Sequence, residues 1–301
     1  MGKRIGLVVN PTSGKNRGGA LGIEVAQRLR AAGHEVLELS DETAAAARDR
    51  ALGAIAQGID VLAVAGGDGM VHLGVNLCAD TKTPLAIIAA GTGNDIARGL
   101  GLPVHDPIAA ADVVSTGMPR QIDAVRHINE RGDVLWYAGV LGAGFDSLVN
   151  ERANTWPWPK GRMRYNLAIA RELPGFHAIP YAVTVDGVRH ETAAMLVTVG
   201  NGPSYGGGMR VCPDALFDDG LLDVMILHEI STLEFVKVFP TVFKGAHISH
   251  PAVEVLRGRE VTLEAEGIMA YADGERFAHL PLTLEVVPSA LTVMAPAVPR
   301  G

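Results

Sequence analysis

The sequence predicts an α/β fold followed by a mainly β region, and three observations indicate this architecture. Up to about residue 122, short β-prone runs alternate with stretches of helical periodicity. These short runs are continuously apolar, which is typical of a parallel sheet covered on both faces. Beyond residue 122, β-rich segments mostly follow one another without long helices. We therefore predict a doubly wound α/β domain over residues 1–122 and a largely antiparallel domain, a β-sandwich, over residues 123–289.

The first domain is predicted element by element from apolar periodicity. Its strands have the sequences RIGLVVN, EVLELS, DVLAVAGG and PLAIIAAG. Its helices have the sequences GGALGIEVAQRLRAAG, TAAAARDRALGAIAQG and MVHLGVNLCAD. Gly33 lies just past the first helix, where glycine commonly ends a helix.

The second domain is predicted from β-rich segments. They have the sequences ETAAMLVTVGN, LLDVMILHEI, VEVLRGREVTLEAE and LTLEVVPSALTVMAP. A helical insertion, GRMRYNLAIARELPGF, interrupts them. The last strand, near residues 290–297, is expected to rejoin the first domain.

Composition narrows the class of protein. The chain has 301 residues, a formal net charge of −7 and 48% hydrophobic residues. The acidic balance argues against broad, non-specific nucleic-acid binding, so we expect no nucleic-acid partner. The two cysteines, Cys78 and Cys212, show no metal-type spacing and fit a reducing compartment. Without a signal peptide or a run of 18 apolar residues, the sequence favours a cytoplasmic protein.

Three glycine-containing turns follow predicted strands of the first domain. They span Asn10–Lys15, Gly66–Gly69 and Gly91–Asp95. Loops after the carboxyl ends of parallel strands line the ligand crevice, and their free backbone N–H groups suit phosphate. Each turn alone is also explained as a tight turn, but three in one domain favour a phosphate site. Because the sequence contains neither GxxxxGK[ST] nor GxGxxG, a P-loop ATPase or an ordinary dinucleotide site is not supported.

Six motifs occur in a recognisable order: NPTSGK, GGDG, GTGNDIARGLGLP, GAGFDSLV, PDALFDDGLLDVMIL and ADGERF. With them the chain resembles, over nearly its whole length, the diacylglycerol kinase catalytic-domain family. That family includes bacterial soluble lipid kinases and the sphingosine and ceramide kinases. The resemblance implies an N-terminal NAD-kinase-like α/β domain and a C-terminal β-sandwich domain, with an active-site cleft between them. It also implies ATP and Mg²⁺ as cofactors.

The same resemblance implies a nucleotide site in the glycine turns. Ser40 stands where the family often has a nucleotide-contacting threonine. The residues implied to bind the nucleotide are Asn10, Pro11, Thr12, Ser13, Gly14, Ser40, Gly66, Gly67, Asp68, Gly69, Met70, Val71, His72, Thr92 and Asn94.

Two metal sites are implied by the resemblance. Asp68, Asp95 and Asp123 would organise the catalytic Mg²⁺, which keeps several waters and needs few carboxylates. In the second domain, Leu216, Asp219 and Leu221 would form an additional site in the sequence ALFDDGLL. Without the resemblance, this segment reads as an ordinary acidic turn.

The implied catalytic residues are Glu275, Asp273 and Asp68. Glu275 would accept the proton of the lipid hydroxyl, and Asp273 could orient metal or substrate. Asp-Gly is also the commonest hairpin signal, and both interpretations can hold together.

The GGDG turn departs from the family pattern at two positions. Met70 replaces a threonine, which removes one hydroxyl near the phosphates, and His72 replaces an asparagine. Losing one neutral hydrogen bond costs about 0.5–1.5 kcal/mol, so the site is not expected to be inactive. A changed nucleotide preference stays open, and His72 either contacts phosphate or is solvated.

Access to a lipid requires a membrane surface. An aromatic and basic cluster that suits an anionic bilayer is formed by Trp156, Trp158, Lys160, Arg162 and Arg164, although a loop that packs on the following helix also explains these residues. The loop Tyr205–Met209 could admit an acyl chain or simply turn.

The family resemblance, together with the glycine turns and the acidic residues, predicts a lipid kinase that phosphorylates diacylglycerol or a related lipid at the inner face of the membrane. A homodimer is possible. One alternative is a kinase of the same fold that acts on a soluble acceptor such as NAD. Another is a non-catalytic regulator that binds nucleotide or lipid, suggested by Met70 and His72.

Overall fold

The computed structural model of the protein describes residues 2–10, 13–156, 158, 162–172 and 177–297. The chain divides into two compact units, one formed by Met1–Ala124 with Pro288–Gly301 and the other by Val125–Val287. The chain enters the second unit within strand β5 (Met118–Ile128) and returns within strand β15 (Leu282–Ala295). The predicted domain boundary, after residue 122, lies inside β5.

Strands and helices alternate along the first unit. In chain order they are β1 (Arg4–Val9), α1 (Ser13–Ala31), β2 (Glu35–Glu38), α2 (Ala44–Ala56), β3 (Val61–Gly66), α3 (Asp68–Cys78), β4 (Leu85–Ala89), α4 (Asp95–Gly99) and α5 (Pro107–Thr116). The strands β4, β3, β1 and β2 lie side by side in this order, all parallel. Val293 of β15 pairs in parallel with Leu85, so the last strand joins this sheet.

Helices cover both faces of the parallel sheet. On one face, Ile5, Leu7 and Ala63 pack with Val25 and Leu29 of α1, which itself lies against α5. On the other face, α3 lies so close to the sheet that a side chain at Gly74 would meet Leu85 and Val64. The strands β3 and β4 are buried along their whole length, as their continuous apolar sequences predict.

The second unit is built mainly from antiparallel strands. In chain order it contains β6 (Val134–Tyr137), β7 (Val140–Gly144), α6 (Phe145–Thr155), α7 (Arg162–Glu172), β8 (Ile179–Val185), β9 (Val188–Gly200), β10 (Leu222–His228), α8 (Thr232–Val238), β11 (Val253–Gly258), β12 (Glu260–Glu264), β13 (Met269–Ala272) and β14 (Glu275–His279). Two short 3₁₀ helices, Phe239–Lys244 and Ala246–Ser249, follow α8. The strand order is β14, β13, β7, β9, β8, β12, β15, with β10 between β9 and β11.

The side chains of β10 show how this unit is layered. Val224 and Ile226 join a core formed almost entirely by strands. The alternate residues, Met225 and Leu227, join a second core with residues of α6, α7 and α8. Successive side chains of a strand point to opposite faces, so β10 separates an all-strand core from a helix-covered one.

Several details of the second unit differ from the sequence-based expectation, and the helix α6 is one element that was not predicted. The segment VEVLRGREVTLEAE divides at Arg259 into β11 and β12, which pair with different strands. The break follows from Asp186, whose Oδ1 accepts hydrogen bonds from the backbone N–H groups of Arg259 and Glu260. The helix α8 was not predicted, although Ser231 caps it by accepting from the Glu234 N–H, a pattern visible in the sequence.

Candidate functional site

The three glycine turns lie along one edge of the parallel sheet, as predicted. In the strand register, Val9 is opposite Ala65 and Gly66 is opposite Ala89, so β1, β3 and β4 end side by side. Each turn follows directly on one of these ends. This edge therefore gathers backbone N–H groups from three strand-to-helix connections, which is the arrangement that binds phosphate groups.

The first turn is joined to the sheet at Asn10, whose N–H donates to the Ala65 carbonyl at 3.0 Å. Pro11 and Thr12 lie outside the described residues. Ser13 and Gly14 open α1. Ser40 lies beside this turn, because its Oγ accepts a hydrogen bond from the Val9 N–H at 2.8 Å.

The second turn carries Asp68 as the first residue of α3, after Gly67. The carboxylate of Asp68 reaches the third turn. Its Oδ2 accepts from the Asn94 N–H at 2.9 Å and its Oδ1 accepts from the Asp95 N–H at 2.8 Å. Asp68 therefore connects the turn after β3 to the turn after β4.

The second and third turns also approach each other through their backbones. A side chain at Gly91 would place its Cβ 2.3 Å from the Cα of Gly67. The close approach of two main chains thus requires glycine at position 91, whereas a Cβ at Gly67 would lie in tight contact, 3.2 Å from the Cα of Gly91.

The third turn is closed by Asn94, a left-handed residue with φ of 56° that is only 2% exposed. Its Oδ1 accepts from the Gly91 N–H and its Nδ2 donates to the Gly91 carbonyl, both at 2.9 Å. The Asn94 side chain therefore holds its own turn together, whereas Thr92 is exposed at the tip. Of the two residues predicted to contact the nucleotide here, Thr92 is the accessible one.

The start of α3 contains the two positions that depart from the family pattern. Met70 is half-buried, and Val71 is buried in the unit. His72 is half-buried, and its Nε2 lies 3.3 Å from Nδ2 of Asn76 one helical turn on. Because Asn76 Nδ2 only donates, Nε2 of His72 is the acceptor in this contact.

The predicted catalytic metal ligands are distributed over the same unit. Asp95 is buried beside Asp68, which accepts from its backbone N–H. Asp123 is buried in β5, and its Oδ1 accepts from the Ser289 N–H at 2.8 Å. The described part of the chain brings no three His, Cys, Asp or Glu side chains together as a metal cluster. Kinases hold Mg²⁺ with one or two carboxylates, phosphates and water, so the donor chemistry of Asp68 and Asp95 fits this ion.

In the second unit, Asp273 and Gly274 form the two-residue loop of the β13–β14 hairpin. Both have positive φ, 53° and 86°, as this type of hairpin loop requires. Glu275 is the first residue of β14 and its side chain is exposed. The predicted hairpin is confirmed, and it presents Glu275 to solvent.

Asp273 points the other way and is only 6% exposed. Its carboxylate accepts from the N–H groups of Gly139 at 2.9 Å and Ala138 at 3.2 Å. Burial, and then the nearby Asp273 carboxylate, raise the pKa of Tyr137 well above its usual value. Asp273 therefore fixes the β6–β7 connection against the hairpin that carries Glu275.

Sequence reasoning missed Asn201, which contacts the same connection. Its Nδ2 donates to the Ala138 carbonyl at 2.9 Å, and its backbone N–H donates to the Gly139 carbonyl. Asn201 is fully buried at the end of β9. The signal was available, because a polar residue and Gly202 end a β-branched strand in the sequence VTVGNG.

The segment predicted to form the additional metal site is in contact with a positively charged side chain, that of Arg257 in β11. The Arg257 guanidinium donates to Asp219 Oδ2 at 2.6 Å through Nη2, and to Asp223 Oδ1 through Nε. Asp219 Oδ1 accepts from the Leu221 N–H at 3.1 Å. Leu216 is exposed. A metal ion at Asp219 would have to share this carboxylate with Arg257.

An apolar cavity of about 70 Å³ lies in the helix-covered core of the second unit. One water molecule needs roughly 10–15 Å³, so the cavity has room for a few water molecules. Side chains from α6, α8, β10 and the 3₁₀ helix after α8 line it, among them Phe145, Val149, Leu227, Phe235 and Val242. The sequence offered no signal for this cavity beyond the loop Tyr205–Met209, whose two terminal residues also line it.

The predicted membrane-facing cluster is described only in part. Trp156 packs against the helix-covered core, whereas Trp158 is 78% exposed. Lys160 lies outside the described residues, and Arg162 and Arg164 belong to α7. Among the described residues, no helix combines the length and apolarity needed to span a membrane.

Comparisons with known proteins cover nearly the whole chain. Residues 4–127 match the diacylglycerol kinase catalytic domain, and residues 139–295 match the YegS C-terminal NAD kinase beta sandwich-like domain. A diacylglycerol kinase of Mycobacterium tuberculosis is 40% identical over 294 residues, covering 97% of this chain and 95% of the relative. A diacylglycerol kinase of Bacillus subtilis is 30% identical over 283 residues, covering 93% and 92%.

Solved structures show the same fold. A diacylglycerol kinase from Bacillus anthracis superposes with a TM-score of 0.72 at 22% identity, covering 97% of this chain and 96% of that one. An NAD kinase from Archaeoglobus fulgidus in complex with ATP gives a TM-score of 0.53 at 14% identity, covering 97% and 93%. These likenesses confirm an N-terminal α/β domain and a C-terminal β-sandwich domain. The identity shared with the curated relatives shows that the chain belongs to the diacylglycerol kinase family, a family of lipid kinases.

Proposed function

We propose that the protein transfers the γ-phosphoryl group of ATP to a hydroxyl group of diacylglycerol or a related lipid. With diacylglycerol, the product is phosphatidic acid. The observation that supports this most strongly is the set of joined glycine turns, in a chain whose curated relatives are diacylglycerol kinases. The apolar cavity of about 70 Å³ in the second unit is smaller than an ordinary ligand pocket and does not identify the acceptor.

The nucleotide is proposed to bind at the edge where β1, β3 and β4 end. Backbone N–H groups of the glycine turns donate to the phosphate oxygens. The two hydrogen bonds that Asp68 accepts from Asn94 and Asp95 hold the second and third turns together. Thr92, exposed at the tip of the third turn, contacts the nucleotide. Asn94 acts indirectly, because its amide is used within the turn.

Mg²⁺ is proposed to be held by Asp68 and Asp95, together with the phosphates and water. When bound, it neutralises charge on the phosphates during transfer. Asp123 contributes by holding the backbone of β15 at Ser289.

Glu275 is proposed as the proton acceptor. The lipid hydroxyl oxygen forms a bond to the γ-phosphorus, the bond from that phosphorus to the bridging oxygen breaks, and ADP leaves. The hydroxyl proton moves to the Glu275 carboxylate. Asp273 is a positioning residue, because its carboxylate is buried and bonded to the backbone of Ala138 and Gly139.

The lipid is proposed to be met at a membrane surface. Trp158, Met163 and Leu167 are exposed apolar side chains on and before α7. Exposed tryptophan and aliphatic side chains insert at the boundary between headgroups and acyl chains.

Two other functions fit parts of the observations. The fold is shared with an NAD kinase, but the curated relatives that are 30–40% identical to this chain are diacylglycerol kinases. A non-catalytic regulator would explain Met70 and His72, yet Asp68, Asp95 and Glu275 are all present.

The test is phosphoryl transfer from γ-labelled ATP with Mg²⁺ to separate mixed micelles of diacylglycerol, monoacylglycerol, ceramide and sphingosine, with NAD in solution. Label in diacylglycerol supports the proposal, and label in another lipid corrects the substrate. Label in NAD alone shows the soluble acceptor. ATP binding without transfer to any acceptor shows the regulator.

A further inference from the structure

One helical segment of the second unit is apolar on two opposite sides. The 3₁₀ helix Phe239–Lys244 begins where α8 ends, so Thr232–Lys244 forms one continuous helical segment. On one side, Phe235 and Val242 are buried in the helix-covered core, and Phe239 packs against it. A surface helix normally carries polar or charged residues on the side opposite its buried side. In this segment the opposite side is mainly apolar, which is typical of a binding surface.

The outward side is formed by Leu233, Val236, Pro240 and Phe243, which we call the α8 face. Leu233, Val236 and Pro240 follow one another at spacings of three and four residues, which places them on one side of a helix. Pro240 and Phe243 are three residues apart in the 3₁₀ helix, where residues at this spacing are aligned. Leu233 is 67% exposed and Val236 is 57% exposed, and Pro240 and Phe243 are exposed as well. Single exposed aliphatic side chains are common on protein surfaces, whereas a contiguous group of them marks an interaction surface.

Two lysines flank the α8 face and give it a positive charge. Lys237 lies one helical turn beyond Leu233, and Lys244 ends the segment. Both side chains are exposed, and neither forms an ion pair within the described part of the chain. Glu234, the one acidic residue of the segment, is engaged by His250, whose Nε2 lies 3.3 Å from its Oε1. The surface therefore combines apolar side chains with two cations that suit an anionic partner.

The lysines decide which partner this surface fits. Two-fold contact with a second copy of the chain would bring identical surfaces together, and so would place the lysines of both copies in one interface. An anionic bilayer instead offers hydrocarbon to the apolar side chains and phosphate groups to the lysines. The α8 face also belongs to the same helical layer as α7, because Ile169 of α7 and Phe235 of α8 share one core.

We propose that the α8 face docks on a bilayer that contains anionic phospholipid. Leu233, Val236 and Phe243 insert at the boundary between headgroups and acyl chains, and Lys237 and Lys244 contact lipid phosphate groups. The inference rests on the proposed function for its purpose, because docking brings a lipid kinase to its substrate. The docking itself is measured without ATP or diacylglycerol.

The first test is co-sedimentation of the protein with vesicles of phosphatidylglycerol and phosphatidylcholine. The double variant Leu233→Gln, Val236→Gln is expected to bind these vesicles about ten- to hundredfold more weakly, because two aliphatic side chains lose their hydrocarbon contact. The matched control is the double variant Ile23→Gln, Ile108→Gln. These isoleucines lie on helices of the first unit and are 62% and 54% exposed, so this variant is expected to bind as the natural protein does. Equal binding of the two double variants would overturn the proposal.

The second test separates the charge from the apolar contact. Lys237→Gln and Lys244→Gln are each expected to weaken binding to the phosphatidylglycerol vesicles about fivefold, the contribution of one basic residue near an anionic surface. Binding to vesicles of phosphatidylcholine alone is expected to stay the same in both variants. Lys82→Gln, which removes an exposed lysine of the first unit, is the control and is expected to bind as the natural protein does. The same affinity of all three lysine variants for the anionic vesicles would contradict the proposal.

Light scattering without vesicles tests the competing occupant, a second copy of the chain. A dimeric natural protein, together with a monomeric Leu233→Gln, Val236→Gln variant, would make the α8 face an interface between copies and overturn the proposal. Failure of the proposed function gives a different result. If no lipid is phosphorylated while the natural protein binds anionic vesicles through this face, the proposed function fails and the docking surface stands. If lipid is phosphorylated but the natural protein does not bind the vesicles, the docking surface fails.

Discussion

Asp68 accepts a hydrogen bond from the backbone N–H of Asn94 at 2.9 Å, across the gap between two neighbouring glycine turns. Its second oxygen accepts from the next N–H, that of Asp95. The sequence predicts that this carboxylate contributes to the metal and nucleotide site, and the structure shows that it also holds the turn after β4 in place. We call these two hydrogen bonds the Asp68 clasp. The position of the third turn therefore depends on the charge of Asp68.

Asp68→Asn is expected to impair the site through this clasp. The amide nitrogen of asparagine cannot accept, so one of the two N–H groups at Asn94 and Asp95 loses its partner. A hydrogen bond to a charged group is worth about 1.5–3 kcal/mol, and the free energy of unfolding should fall by about that amount. Urea denaturation measures the loss, and isothermal titration with ATP should show weaker binding.

Asp60→Asn is the matched control for this substitution. Asp60 Oδ2 also accepts a backbone N–H, that of Arg4, but at the opposite edge of the sheet. This variant should keep ATP affinity even where it loses stability. If Asp68→Asn bound ATP as tightly as the natural protein, the clasp would have no part in the nucleotide site.

Gly91→Ala is expected to separate the second and third turns. The new methyl group would lie 2.3 Å from the Cα of Gly67, and a main chain must shift to make room. We expect loss of ATP binding and a lower midpoint of thermal unfolding. Gly53→Ala, in the last turn of α2 with no atom within 4 Å of the added Cβ, should instead raise stability by about 0.5–1 kcal/mol. A Gly91→Ala protein with unchanged ATP affinity would show that the contact between the turns is dispensable.

The sequence predicted the parallel sheet and the shared edge of the turns because β3 and β4 are continuously apolar and end in glycine. It could not predict that Asn94 uses its amide on Gly91, since that depends on one left-handed backbone conformation. The cavity was equally hidden, because Val149, Leu227 and Val242 are ordinary core residues until helices and strands bring them together.

Glu275 and Asp273 are expected to respond differently to loss of charge, although they are two residues apart. Glu275 is exposed, so Glu275→Gln should fold normally and bind ATP, while kcat falls about 10²- to 10⁴-fold with the loss of a general base. Asp273→Asn should lower stability, because two backbone N–H groups depend on its carboxylate. Denaturation and phosphoryl transfer, measured side by side, distinguish the two effects. Glu266→Gln, another exposed carboxylate in the same unit, serves as control, and equal activity of the two glutamine variants would remove Glu275 from the mechanism.

Arg257 provides a test of whether the second unit needs a metal ion. Its guanidinium already donates a hydrogen bond to Asp219 and to Asp223, so chelation of Mg²⁺ is expected to leave the unfolding midpoint of the natural protein unchanged. Arg257→Met should leave two carboxylates without a cation and lower the free energy of unfolding by about 1–3 kcal/mol. Added Mg²⁺ should recover part of that loss in the variant. A marked fall in the natural protein's midpoint with chelator would instead show that a metal and Arg257 share Asp219.

The stability of Arg257→Met is expected to depend on pH, and the pKa of Asp223 gives the direction of this dependence. Burial raises the pKa of Asp223 in the folded protein, and Arg257 opposes this effect. Removing Arg257 raises that pKa further above its value in the unfolded chain, so the folded variant binds the proton more tightly than the unfolded chain does. The contribution of Asp223 to the free energy of unfolding is therefore present below the pKa of an ordinary aspartate, about 4, and is lost as the pH rises through the pKa of Asp223 in the folded variant. The difference between Arg257→Met and the natural protein should therefore be larger at neutral pH than in mild acid, and a difference independent of pH would place the effect in lost packing rather than in the charge of Asp223.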